Sequence, residues 1–94
     1  MENIVDVEVE GISLSIDRLA VSGVSTLIWI DEISEGEYGH CAKLLKRVFG
    51  DSLGRVIEAM TEKLGREPVP QELIGFMGLA FKAMGEQTAN EPKN

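Results

Sequence analysis

A single cysteine stands in this sequence, so no disulfide can close within the chain. Long apolar runs are also missing. The longest is Leu27-Ile28-Trp29-Ile30, against the roughly 20 residues that a membrane-spanning helix needs. The N-terminus opens on Glu2 and carries no basic region followed by an apolar stretch, so no signal peptide is expected. These absences together point to the cytoplasm. Basic residues are scarce where a nucleic-acid binder would gather them. Residues 1–37 hold nine acids and one base, Arg18, and residues 38–94 hold seven acids and eight bases. No basic stripe emerges, which argues against nucleic acid as a partner. The net charge of −7 reads as a solvated acidic surface.

Catalytic groupings are equally sparse. His40 and Cys41 are neighbours on an expected helix, so their side chains diverge by about 100° and form no nucleophile–base pair. Cys41 falls on an apolar stripe as a buried structural thiol, and His40 on the polar side. One His and one Cys fall short of a zinc site. Asp31, Glu32, Glu35 and Glu37 lack the spacing and central glycine of a calcium loop and read as an acidic turn. No phosphate-cradling glycine loop is present, and Ser13, Ser15 and Ser22 have no base to activate them. The expectation is therefore no enzyme, no catalytic or metal site, no cofactor and no small-molecule substrate.

What is present is periodicity. Val5, Val7 and Val9 alternate with acids, and Ile12, Leu14 and Ile16 alternate with polar residues. Each run reads as a half-buried strand. A tight turn at Glu10-Gly11 pairs Val9 with Ile12, Val7 with Leu14 and Val5 with Ile16, all on one face. Glu is a poor first residue for such a turn, which leaves a slightly longer loop open. Residues 18–34 are ambiguous between a helix after Ser22-Gly23 and a third strand over Thr26–Ile30; the helix is preferred.

Further on, Tyr38, Cys41, Ala42, Leu45, Val48 and Phe49 form a helical stripe, with Glu35 and Glu37 in the first turns and Lys43, Lys46 and Arg47 towards the end. Gly50 stops that helix and Asp51 is placed to cap the next, whose stripe is Leu53, Val56, Ile57, Met60 and Leu64. Gly65 ends it. Pro70 suits the first position of a last helix. The expected fold is α+β, mainly α: an N-terminal β-hairpin (3–17) packed on three to four helices (about 24–34, 35–49, 51–64 and 70–86). Residues 1–86 form one domain and 87–94 a disordered tail.

The last helix carries more apolar residues than one core-facing stripe uses. On a wheel of 100° per residue, Leu73, Ile74, Met77, Ala80, Phe81 and Met84 face the core. Leu79 falls inside the polar wedge between Glu86 and Glu72, with Phe76 and Ala83 at its edge. Phe76, Leu79 and Ala83 therefore make a second apolar line, the expected partner-binding residues. Either residues 18–34 fold over that line, or another chain does. Gly75, Gly78 and Gly85 interrupt the helix, and Gly75 and Gly78 lie beside the wedge, where they permit close backbone approach or are merely tolerated.

Trp29-Ile30-Asp31-Glu32-Ile33, then Glu35-Gly36-Glu37, then Leu44-Leu45-Lys46-Arg47-Val48-Phe49-Gly50, with Val69-Pro70-Gln71-Glu72-Leu73-Ile74 opening the last helix, resemble tail assembly chaperones of long-tailed bacteriophages and prophages. The resemblance spans roughly residues 12–86. It rests on apolar positions, an interhelical glycine and the proline and acid at the last helix, and the N-terminal hairpin is not distinctive for the family. It implies a non-enzymatic, mostly helical protein in the cytoplasm of a bacterial host. Such a protein coats a long helical tape measure protein, keeps it soluble, helps tail tube subunits assemble, and tends to self-associate. The family often adds a longer frameshifted product, which a protein sequence does not reveal. Another class compatible with the residues is a small dimeric structural, adaptor or antitoxin-like module pairing through the hairpin edge.

Overall fold

The computed structural model describes residues 3–89. Strands β1 (Ile4–Val9) and β2 (Ile12–Asp17) form an antiparallel hairpin with the expected register: Val5 opposite Ile16, Val7 opposite Leu14, Val9 opposite Ile12. The turn is the two-residue one. Glu10 and Gly11 both take positive φ, 51° and 82°, the conformation that matches the right-handed twist of the flanking strands. Glu10 is the only non-glycine among the described residues in this region, so the turn holds it against a steric preference.

Asp17 ends β2 and caps the next element. Its carboxylate accepts from the backbone N–H groups of Leu19 and Ala20 at 2.9 and 3.4 Å, opening the one-turn helix α1 (Arg18–Val21). Helix α2 (Val24–Ser34) follows at the place expected for a helix. The fully buried Thr26 joins the two, donating from Oγ1 to the Ala20 carbonyl at 2.8 Å.

Helix α3 spans Cys41–Phe49, six residues shorter at its start than the expected helix over 35–49. Residues 35–40 turn instead. Gly36 takes φ 86°, Gly39 follows three residues later, and Tyr38 is exposed rather than on the core stripe. Two glycines within five residues make continued helix costly. From Cys41 onward the stripe is as expected, with Leu44 added: Cys41, Leu44, Leu45, Val48 and Phe49 are all buried. Ala42, placed on that stripe by the sequence, is exposed.

A short 3-10 turn (Gly50–Ser52) leads into helix α4 (Leu53–Leu64). Asp51 sits inside this turn, and no side-chain cap is made at Ser52. Ser52 instead reaches the hairpin. Its Oγ accepts from the Ser15 backbone N–H at 3.4 Å, and Arg55 donates to the Ser13 carbonyl at 3.1 Å. The outer edge of β2 is thereby occupied from within the chain, which removes it as a free pairing edge. Gly65, left-handed at φ 74°, ends α4 as expected.

Helix α5 (Pro70–Ala89) continues three residues beyond the expected end at 86. The remainder of the expected tail, 90–94, lies outside the described residues. Glu72 builds its start, accepting from the Val69 backbone N–H at 2.9 Å and from both terminal nitrogens of Arg66 at 2.9 Å each. Helix α5 lies along β1 and against α3. The core gathers the inner face of the hairpin, the α3 stripe, Val56 of α4 and five residues of α5. The fold is thus mainly helical, with a hairpin packed on a helical bundle.

Candidate protein-binding surface

The rotation of α5 about its own axis decides the fate of the expected binding line. Its buried residues are Leu73, Phe76, Met77, Ala80 and Met84, while Ile74 and Phe81 are only half-buried. The buried face is turned by roughly 40° on an ideal wheel from the one drawn on the sequence. Phe76 is therefore core, not surface as the wheel suggests: it is 3% exposed, with its ring 5.9 Å from that of Phe49. Phe49 of α3 supplies an aromatic partner, and burying a ring beside another outweighs an even spread of apolar residues around the wheel.

Leu79 remains exposed at 43%, and Ala83 is half-buried against the core. The three residues do not form one accessible line. Residues 18–34 do not cover Leu79 either. It borders a groove of about 820 Å³ between the hairpin turn, the second half of α4 and the first half of α5, together with Ile12, Met60, Leu64 and Gly75. Charged groups rim this groove. Lys63 pairs with Glu10 at 3.3 Å across it, both side chains well exposed. Glu72, at another side, is held by the Arg66 guanidinium and the Val69 N–H, which lower its pKa from 4.5 to about 2.

The larger uncovered apolar surface lies elsewhere. Val24, Leu27 and Ile28 of α2 are 72%, 60% and 51% exposed, and Leu19 of α1 is 66% exposed. Apolar side chains fall on every side of the first turns of helix α2, and Asp31 and Glu32 follow in its last turns. Trp29, Ile30 and Ile33 pack inward and Thr26 is buried, while Val24, Leu27 and Ile28 point away. A helix of that kind is normally buried on every side; here one side has no cover from the described residues. Leu27 also lines a second groove, of about 670 Å³, with Val21, Ile30, Phe81 and Met84, where α1 and α2 meet the end of α5. The sequence marks residues 18–34 as a possible cover for α5, and as a cover they would have no outward apolar face of their own. The signal for that face is the pattern Val24-x-x-Leu27-Ile28, at i, i+3 and i+4, on a helix with inward residues at Thr26, Ile30 and Ile33.

The back of α2 is locked to α3. Trp29 stacks on the His40 ring at 5.2 Å with the planes 17° apart, Arg47 lies 4.3 Å from the Trp29 ring, and His40 Nδ1 meets Glu32 Oε1 at 2.8 Å. His40 thus makes structural contacts in the 35–40 turn while its side chain stays 43% exposed, on the polar side as expected. Cys41 packs in the core, where burial pushes its thiol pKa up. Among the described residues no group of three or more His, Cys, Asp or Glu is placed to hold a metal ion, and no helix is long and apolar enough to cross a membrane.

Fold and surface together define a small hairpin-and-helix protein with an unpartnered apolar helix face. Comparison with known proteins adds no family to that description: no family model matches the chain, and no curated protein or solved structure matches it.

Proposed function

We propose that the protein is a non-enzymatic assembly chaperone of the phage-tail type. In this reading it binds a long helical partner such as a tape measure protein in the cytoplasm of a bacterial host and keeps it soluble. The observation that carries this reading is the exposed trio Val24, Leu27 and Ile28 on α2, continued by Leu19 and by the groove beside Leu27. Each such side chain would gain at most about 1.5–3 kcal/mol on full burial. Apolar anchors at i, i+3 and i+4 are what one helix offers another. The groove at Leu79 provides a second apolar contact on a different side. The resemblance over residues 12–86 supplies the class of partner.

The rival reading is a dimeric adaptor or antitoxin-like module pairing through the hairpin edge; Ser52 and Arg55 occupy the β2 edge, which leaves it the β1 edge, where Asp6 and Glu8 work against pairing. The test is coexpression with a long helical protein encoded beside the gene. The expected result is a soluble complex that Leu27→Ser/Ile28→Ser abolishes while the variant alone stays folded. A partner that stays insoluble in the presence of the wild-type protein would refute the reading.

A further inference from the structure

Helix α2 exposes two kinds of side chain in sequence along one face. Val24, Leu27 and Ile28 occupy its first turns; Asp31 and, just past the helix end, the C-cap residue Glu35 follow at i+7 and i+11 from Val24. On a 100° wheel the five lie within roughly 100° of arc. Asp31 and Glu35 are exposed and make no ion pair among the described residues, whereas the neighbouring Glu32 is engaged by His40. Two bases stand at its borders: Arg47 over Trp29 on one side, Arg18 at the groove beside Leu27 on the other.

From this arrangement we infer that the α2 face selects an amphipathic helix whose apolar stripe runs into a basic turn. Leucine-like anchors would meet Val24, Leu27 and Ile28, and Lys or Arg one and two turns further along would meet Asp31 and Glu35. The inference rests on the helix-binding reading above and adds charge to it. Apolar contact supplies most of the affinity, and the acids set partner choice and register. A second copy docked α2 against α2 would bring no base from that helix to Asp31 and Glu35.

The probes are two designed helical peptides with the same leucine stripe, one ending in lysines and the other in glutamates at the matching positions. Binding is followed by the fluorescence of Trp29, the single tryptophan. The wild-type protein is expected to prefer the lysine peptide roughly three- to tenfold at low salt, from two exposed charge pairs. The preference should vanish in Asp31→Lys/Glu35→Lys. It should persist in Glu8→Lys/Glu58→Lys, a control with the same net charge whose changes lie on exposed positions of β1 and α4. Leu27→Ser should weaken both peptides.

If both peptides bind wild type equally, the charge inference fails and helix binding stands. If the control pair loses the preference as fully as the α2 pair, the effect is one of net charge and the inference again fails. Should neither peptide bind, the helix-binding reading falls with it. Sedimentation of the protein alone provides the remaining arm: a dimer that Leu27→Ser dissociates would assign the face to a second copy and overturn the inference.

Discussion

At the scale of single residues, Phe76 and Leu79 stand three positions apart on α5 and do opposite things. Phe76 is packed on Phe49 in the core, and Leu79 is open to solvent. Phe76→Ala should cost about 3–5 kcal/mol by loss of transfer energy and creation of a cavity. Leu79→Ser should stay within about 0.5 kcal/mol. Denaturant titration of the two variants measures both. Glu72 gives a pH-dependent counterpart. Its folded pKa of about 2 lies below the ordinary 4.5, held there first by Arg66 and then by the Val69 N–H. A carboxylate depressed on folding contributes stability that is fully present above its unfolded pKa and is lost as pH falls through its folded one. The stability difference between wild type and Glu72→Gln should therefore be constant above pH 4.5 and shrink as pH falls towards 2, read by denaturation at a series of pH values.

Among the elements, α5 and α2 show what sequence pattern conveys and what it leaves open. The hairpin was legible down to its register, because a period of two with a two-residue turn admits one in-face pairing of Val5, Val7 and Val9 with Ile12, Leu14 and Ile16. The α3 stripe was legible from Cys41 onward, but its start was not, since Tyr38 fits the period while Gly36 and Gly39 break the backbone. On α5 the stripe was visible and its rotation was not. Apolar residues spread widely around that helix, so the buried centre is set by the partner ring of Phe49, far earlier in the chain. The candidate surface was legible only as the spacing of Val24, Leu27 and Ile28, for a related reason: their exposure depends on which elements fail to reach them.

Two glycines of α5 give a prediction at this scale. A Cβ at Gly75 or Gly78 would meet nothing within 4 Å, so nothing in the monomer requires glycine there. Gly75→Ala and Gly78→Ala should each stabilise the protein by up to about 1 kcal/mol, seen as a raised Tm. If the Leu79 groove is a second partner contact, Gly75→Ala should weaken the complex while strengthening the fold.

For the whole molecule, the chain divides its roles between two sides. The hairpin, α3, α4 and α5 close a core around Leu14, Ile16, Leu44, Val48, Phe49 and Val56, each at most 2% exposed. Helices α1 and α2 are fastened to that core at Val21, Trp29, Ile30 and Ile33, are joined to each other at Thr26, and present the rest of their apolar surface outward. An apolar helix face held rigidly on a folded body is suited to capturing another helix without itself refolding. The most direct measurement is NMR chemical-shift mapping of the protein with its helical partner bound. The largest shifts, and intermolecular methyl contacts, are expected at Val24, Leu27 and Ile28, with smaller changes at Leu79. Shifts confined to Leu79, Met60 and Leu64, with α2 unmoved, would contradict the assignment of α2 as the binding face.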